Sequence, residues 1–134
     1  MILANFNPTF LFLAITLGLL MGLILTKNGK VDKSKIAVLD YKEFMETKRK
    51  GTLVDIRRKD DFEKEKIVGA KNMPGRSGAK DSTIRKDIPI FIYDENGRNS
   101  YSVAKAYVKA GACMVYCLKN GYQSYANEKK GNAK

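Results

Sequence analysis

Short apolar runs alternate with helical patterns beyond residue 35, and this alternation constrains the fold more than any other feature of the chain. Four runs have the length and the β-branched or aromatic content of buried strands, namely residues 36–39, 52–56, 90–93 and 113–118. A fifth, brief strand is predicted at residues 69–74, where a proline closes it. Helices are predicted at residues 40–50 and 58–66, after residue 99 and near the C-terminus, with one helical turn near Ser82. Strands that alternate with helices predict a parallel sheet covered on both faces.

Two of the predicted helices carry clear boundary signals. Asp40 followed by Glu43 is typical of a helix N-terminus, and Gly51 ends that helix. The helix after residue 99 has an apolar face that we expect in the core, formed by Val103, Ala104, Tyr107, Val108 and Gly111. Gly111 is also suited to cap the C-terminus of this helix.

Charged residues are absent from the first 26 positions, although the chain of 134 residues contains 25 Lys and Arg and 14 Asp and Glu and has a net charge of +11. The simplest division is an N-terminal membrane anchor followed by one basic α/β domain. We expect the anchor at residues 1–26, a basic linker at 27–35, the domain at 36–127 and a basic tail at 128–134.

The apolar run Thr9–Thr26 is just long enough to cross a membrane, since a spanning helix needs roughly 20 residues. A cleaved signal peptide is the alternative, but the basic segment and the small-residue cleavage site that it requires are missing. The sequence therefore predicts an uncleaved, single-pass helix. Gly18 and Gly22 form a GxxxG pattern that is compatible with a homodimer of such helices, although glycine is simply frequent in membrane helices.

Four lysines follow this run directly, and no basic side chain precedes it; they are Lys27, Lys30, Lys33 and Lys35. The positive-inside rule then predicts an outside N-terminus and a domain on the cytoplasmic side of the cell membrane. The same lysines are suited to contact anionic lipid headgroups. Nucleic acid is not an expected partner, because no pattern of aromatic and basic residues for base stacking is present.

Cys113 and Cys117 fit a reducing compartment. If both lie in one strand, their Cα atoms are roughly 13 Å apart, whereas a disulfide needs them within about 7 Å. Two cysteines at this spacing, in a chain without histidine, form no metal site, and we expect no cofactor.

Polar residues follow two of the predicted strands, where parallel sheets bind their ligands. One group is the turn Asp94–Asn99, whose backbone amides can converge on an anion or a thiolate at the start of a helix. The first loop position, where a nucleophile would point into these amides, is Asp94. The other group is Asp55 and Arg57, in which the Arg57 side chain either faces the loop or forms an ion pair with a nearby carboxylate.

The segments "GTLVDIRRKDDFEKEKIVGAKNMP" and "IPIFIYDENGRNSYSVAKAYVKAGACMVYCLKNGYQSY" resemble two blocks of the rhodanese domain, a sulfurtransferase-type domain. The resemblance covers residues 36–125, and several motifs agree in order and spacing. It implies a small α/β domain with a five-stranded, mainly parallel sheet flanked by helices.

The resemblance also implies that the catalytic loop has degenerated. The family's catalytic cysteine corresponds to Asp94, and its two loop arginines correspond to Glu95 and Asn99, while Gly97 is retained. Asn96 and Arg98 are the remaining loop positions, and Arg98 is placed to offset the two carboxylates. We expect no catalytic residue in this loop, because a carboxylate forms no persulfide.

Three hypotheses follow. The first is an inactive rhodanese-like module that binds an unidentified protein partner or regulates it at the membrane. The second is a sulfurtransferase or sulfur carrier that uses Cys117, although a buried apolar role is usual for a free cysteine. The third, a charge-driven binder, is weaker because acidic and basic residues are interleaved. For Arg57, a structural ion pair with Asp61 or Asp94 is favoured over ligand binding. The sequence leaves two states for the Asp94 loop, which is either open or filled by the carboxylate of Asp94.

Overall fold

The computed structural model describes residues 7–25 and 30–132. The chain divides into two compact units, Met1–Lys30 and Val31–Lys134, which are described separately.

The first unit contains helix α1 (Pro8–Leu25), whose large side chains from Phe10 to Met21 are exposed. Among the described residues, no helix has both the length and the apolarity that crossing a membrane requires. The predicted membrane anchor stays a prediction. A Cβ atom added at Gly18 or Gly22 would meet open space, and the predicted pairing of helices through these glycines stays a prediction. Lys27 lies outside the described residues.

The second unit contains five strands and four α-helices. In chain order they are β1 (Ile36–Leu39), α2 (Tyr41–Thr47), β2 (Thr52–Asp55), α3 (Lys59–Lys64), β3 (Lys71–Asn72), β4 (Ile90–Tyr93), α4 (Ser100–Lys109), β5 (Val115–Leu118) and α5 (Gly121–Asn132). Short 3-10 segments lie at Lys33–Lys35, Lys48–Lys50 and Ser77–Lys80. Lys33 and Lys35 are exposed in the first of these, and Lys30 is exposed just before it.

The strands form one sheet in the order β1-β5-β4-β2-β3, and every pair in it is parallel. A five-stranded, mainly parallel sheet flanked by helices is the fold that the family resemblance implies, and the structure confirms it. All the strands point the same way, so their carboxyl ends lie along one edge of the sheet, where β2 and β4 are neighbours.

Two hydrophobic clusters cover the two faces of this sheet. One cluster joins α4 and the 3-10 segment before β4 to side chains such as Ile92 and Val115. The other joins α2 and the start of α5 to the opposite face through Phe44, Phe91 and Leu118. β4 is buried at all four positions because it lies between two strands and beneath both layers. This explains why its sequence is a continuous apolar run rather than an alternating one.

The predicted start of α2 is confirmed, since the Asp40 carboxylate accepts a hydrogen bond of 2.9 Å from the backbone N–H of Glu43. In α4, Val103, Ala104 and Tyr107 are buried as expected. Gly111, which was expected on the same buried face, is exposed, but its φ of +104° directly after the helix end confirms the C-terminal cap predicted there.

Other boundaries differ from the predictions. β3 is only Lys71–Asn72, because it pairs with just two residues of β2. The helical turn expected near Ser82 lies instead at Ser77–Lys80. β5 begins at Val115, so Cys113 lies outside the strand and is exposed. α5 continues to Asn132 and includes most of the segment that was predicted to be a tail.

Candidate functional site

The parallel pairing of β2 with β4 brings the two predicted polar groups together. Asp55 at the end of β2 is in register with Tyr93 at the end of β4. The segments that follow, one with Arg57 and the other beginning at Asp94, therefore leave the sheet side by side. This is the edge where open parallel sheets bind ligands.

The Asp94 carboxylate is buried and accepts hydrogen bonds from the amides of its own loop. Its Oδ1 accepts from the backbone N–H of Gly97, and its Oδ2 accepts from that of Asn99, each at 2.8 Å. Gly97 has φ +87°, a conformation that few residues other than glycine adopt at low cost. Of the two states left open by the sequence, the structure has the one in which the carboxylate fills the loop.

The start of α5 holds the other side of this loop. The carbonyl oxygens of Asp94 and Glu95 accept hydrogen bonds of 2.7 and 3.0 Å from the backbone N–H groups of Tyr122 and Gln123. Gly121 is essential to this contact, because an added Cβ would lie 2.4 Å from the carbonyl oxygen of Asp94. The loop thus uses its carbonyls to satisfy N–H groups that every helix N-terminus leaves unpaired.

Arg57 is almost fully buried and is held by several partners. Its guanidinium group donates hydrogen bonds to both carboxylate oxygens of Asp55, the shortest of 2.8 Å, and one of 2.6 Å to the carbonyl oxygen of Glu65. It contacts Glu95 at 3.3 Å and lies 4.0 Å from the centre of the Tyr122 ring. These contacts complete a buried ion pair, which is stable only when its hydrogen-bonding groups are satisfied.

Burial by itself would lower the pKa of Arg57, but the hydrogen bonds and the charge of Asp55, with a contribution from Glu95, raise that pKa above its ordinary value. Arg57 therefore stays charged and serves a structural role. The expected partners were wrong: Asp61 pairs with Arg58 at 3.4 Å, and the Asp94 carboxylate bonds to loop amides. Arg98 is exposed, and it is Arg57 that contacts Glu95. Asn96 accepts a hydrogen bond of 3.1 Å from the backbone N–H of Arg98.

Cys117 lies in β5 with no exposed surface and belongs to the hydrophobic cluster beneath α4. Burial raises the pKa of its thiol to about 12; a hydrogen bond with Ser100 acts in the opposite direction, and the charge of Asp94 adds to the rise. A thiol in this environment is protonated near neutral pH and is not a nucleophile.

A cleft of about 450 Å³ opens above the Asp94 loop. Charged and polar side chains from three segments line it, together with an apolar floor; they include Arg58, Arg76, Asp61, Ser102, Ile56 and Val103. Within residues 7–25 and 30–132, no three Cys, Asp or Glu side chains are grouped so as to hold a metal ion. The cleft presents to a ligand the guanidinium groups of Arg58 and Arg76, the carboxylates of Asp61 and Glu95, and a small apolar surface.

The family model of the rhodanese-like domain matches residues 38–128. The chain belongs to the rhodanese-like domain family. Its relatives include the uncharacterized protein YqhL of Bacillus subtilis, 32% identical over 93 residues that cover 69% of this chain and 74% of YqhL. The uncharacterized protein YibN of Escherichia coli is 31% identical over 110 residues, which cover 79% of this chain and 77% of YibN.

Solved structures show the same fold. A Rhodanese_3-like domain from Anabaena has a TM-score of 0.54 and 22% identity, and the match covers 58% of this chain and 92% of that one. A Rhodopseudomonas palustris protein described as a possible tyrosine phosphatase has a TM-score of 0.61 and 19% identity, with 72% of this chain and 84% of that one covered. At these identities the likeness extends to the fold alone.

Several residues at the site of this rhodanese-like domain were missed by the sequence analysis. Arg76 and Ser102 line the cleft, and Tyr122 packs against Arg57. Tyr122 could have been noticed, because an aromatic residue directly follows the Asn-Gly turn after β5. Arg76 carries no such signal, since it lies in a loop without periodicity.

We predict that Asp94→Ala destabilises the domain by about 2 kcal/mol, because two backbone N–H groups lose a charged acceptor. Asp60→Ala is the control: Asp60 is exposed in the first turn of α3, so its loss should cost less than about 1 kcal/mol. Urea unfolding of both variants measures the difference. Equal stabilities of the two variants would contradict the role of the carboxylate in closing the loop.

We also predict that iodoacetamide at about pH 8 modifies the exposed Cys113 and leaves Cys117 unmodified until the protein is unfolded. The thiol of Cys117 is inaccessible, and its pKa of about 12 keeps it protonated at that pH. Mass spectrometry of peptides measures both sites, and a Cys113→Ser variant isolates the slower reaction. Rapid modification of Cys117 in the folded protein would show that this thiol is accessible to solvent and would contradict its buried position.

Proposed function

We propose that this chain is a non-catalytic rhodanese-like domain that acts as a binding or regulatory module at the cytoplasmic face of a membrane. One observation carries the proposal. Asp94 stands where the family resemblance puts a catalytic cysteine, and its carboxylate accepts hydrogen bonds from the backbone N–H groups of Gly97 and Asn99. A carboxylate in that place supplies the negative charge of a thiolate but cannot carry transferable sulfur.

The neighbouring loop positions support inactivity. Glu95 and Asn99 lie where the resemblance puts the two arginines of an active loop. The Glu95 carboxylate is half-exposed at the edge of the cleft and is oriented by Arg57. A negative charge there repels an anionic sulfur donor, whereas an arginine would attract it.

The alternative function, sulfur transfer through Cys117, is disfavoured by the position of that thiol. Cys117 lies within the sheet, paired in register with Ile92 and Val38, rather than in the loop. A sulfur donor cannot reach it without opening the core. The raised pKa of the thiol further reduces the thiolate that such a reaction needs.

The membrane part of the proposal rests on the sequence. The first 26 residues contain no charged side chain, and four lysines follow them within residues 27–35. This arrangement favours attachment at the cytoplasmic side, with the lysines near anionic headgroups. An apolar segment beside a folded binding domain would keep the domain near partners at the same surface.

We expect the purified full-length chain to produce no thiocyanate from thiosulfate and cyanide above the rate of a protein-free blank. Asp94→Cys alone should remain inactive, because Glu95 still repels an anionic donor and Asn99 lacks the positive charge that would attract one. A colorimetric thiocyanate assay, run beside an active rhodanese as the positive control, measures this. Turnover by the unmodified chain that disappears in Cys117→Ser would overturn the proposal in favour of the alternative.

For membrane attachment, we expect the full-length chain to sediment with membranes and to resist extraction at high pH. A variant in which Leu17 and Leu20 of α1 are both replaced by Asp should be released, because acidic side chains are costly within a bilayer. Immunoblots of the soluble and membrane fractions measure the distribution. Recovery of the unmodified chain in the soluble fraction would refute the membrane part while leaving the loss of catalysis untouched.

A further inference from the structure

Four segments lead into strands at the edge of the sheet opposite the cleft. We call this edge the amino edge, because the strands are parallel and their amino ends all lie along it. In the spatial order of the strands β1, β5, β4 and β2, the segments that precede them are residues 31–35, 109–114, 85–89 and 47–51.

Direct contacts hold these segments together. The backbone N–H of Cys113 donates a hydrogen bond of 2.9 Å to the carbonyl oxygen of Lys86. The backbone N–H of Thr52, the first residue of β2, donates one of 3.0 Å to the carbonyl oxygen of Pro89. Val31 packs against the hydrophobic cluster beneath α4. Segments that are far apart in the chain therefore form one surface.

Basic residues are concentrated on this surface. The four segments contain eight Lys and Arg and only two acidic residues, Asp32 and Asp87. By contrast, the segments that follow the same four strands contain six basic and five acidic residues; they are residues 40–42, 56–61, 94–99 and 119–120. Folding thus separates charges that are interleaved along the chain.

Three of the eight basic side chains are already compensated by other groups. Arg85 pairs with Asp87 at 2.6 Å. The ammonium group of Lys86 donates hydrogen bonds of 2.9 and 3.2 Å to two backbone carbonyl oxygens. Arg49 lines a groove that also contains three acidic side chains. These three residues therefore add little to the positive potential of the amino edge.

The other five are lysines that make no ion pair within the domain as described, residues 30–132; they are Lys33, Lys35, Lys48, Lys50 and Lys109. All of them are exposed except Lys48, which is half-buried. Asp32 opposes them, and hydrogen bonds with Ser34 lower its pKa, so its carboxylate stays charged. With Asp32 counted, the surface keeps an excess of four positive charges.

The distribution of these lysines favours an extended anionic surface as the ligand. They come from three separate segments rather than from one pocket, so a single small anion cannot contact them all. The four segments contain no aromatic residue on which a nucleic-acid base could stack. Lysines spread over a surface are suited to the many headgroups of an anionic membrane, to which each contributes roughly a fivefold gain in binding.

We propose that the amino edge docks the domain on anionic lipid headgroups. The inference rests on the proposed membrane attachment and deepens it. The chain enters the domain at this edge, since β1 begins there. Only residues 27–32 separate the charge-free N-terminal segment from the 3-10 segment at Lys33, and six residues reach at most about 20 Å. In the docked state the cleft, at the opposite edge, faces away from the bilayer and stays accessible to partners.

The test uses Cys113 as a reporter, because this thiol is exposed on the amino edge whereas Cys117 is buried. The full-length chain is incorporated into lipid discs of phosphatidylcholine, with or without about a quarter of phosphatidylserine. Mass spectrometry measures the rate at which iodoacetamide alkylates Cys113. Phosphatidylserine should slow this reaction about tenfold, because headgroups cover the edge, and about 0.5 M salt should abolish the protection.

The double variant Lys50→Gln with Lys109→Gln should lose the protection. With two fivefold contributions removed, alkylation in phosphatidylserine discs should return to within about twofold of the rate in phosphatidylcholine discs. The matched control is Lys42→Gln with Lys119→Gln, since both residues are exposed lysines that follow strands at the opposite edge. This control removes the same charge and should leave the protection unchanged.

A second reporter separates docking from a general effect of the charged lipid on thiol reactivity. Ser102 is exposed in the first turn of α4, at the edge that contains the cleft. In a Cys113→Ser background, Ser102→Cys provides a single exposed thiol there. Its alkylation should proceed at the same rate in both kinds of disc.

Three results would overturn docking: equal alkylation of Cys113 in both discs, equal loss of protection in the two double variants, or equal slowing of the Ser102→Cys thiol. Protection of Cys113 by an added RNA in phosphatidylcholine discs, without protection by phosphatidylserine, would assign the edge to nucleic acid instead. A chain that does not enter the discs would refute membrane attachment and docking together. A chain that enters them and shows equal rates refutes docking alone.

Discussion

The two hydrogen bonds between the Asp94 carboxylate and the amides of Gly97 and Asn99 determine the shape of the loop on which the site depends. They turn the loop N–H groups inward and leave the carbonyls of Asp94 and Glu95 to face the first turn of α5. A carboxylate of the loop itself accepts these two N–H groups, so the loop holds its shape through its own side chain.

The buried guanidinium group of Arg57 connects this loop to the rest of the domain. It joins the end of β2 at Asp55, the chain after α3 at Glu65, the loop at Glu95 and α5 at Tyr122. A buried cation is tolerated only when its donors and charge are compensated, and each of these groups contributes. Arg57 lines the cleft together with Arg58 and Arg76, but its guanidinium group is already held by Asp55, Glu65 and Glu95.

The interior and the mouth of the site have opposite characters. In the interior, the N–H groups of Gly97 and Asn99 donate to Asp94, the guanidinium group of Arg57 is held by Asp55, and the thiol of Cys117 is buried. The cleft outside the loop is lined by the charged side chains of Arg58, Arg76, Asp61 and Glu95 beside a small apolar surface. Non-catalytic binding needs only accessible groups at the surface of the cleft, whereas sulfur transfer also needs accessible groups in the interior. This division is the physical basis of the function that we propose.

Local patterns in the sequence determined the elements of the domain: the apolar run of β4, the Asp40 cap of α2 and the buried face of α4 could be recognised without neighbours. The family resemblance added the five-stranded sheet and singled out Asp94. Only the tertiary structure decided which groups meet, because β2 and β4 are distant in sequence and adjacent in space. In the folded domain, Asp55 and Glu95 are the partners of Arg57, and β3 is limited to the two residues that pair with β2. Arg76 lies beside Ser102 for the same reason, because folding brings their segments together. Contacts between loops depend on strand order and on packing, which leave no periodic trace in the chain.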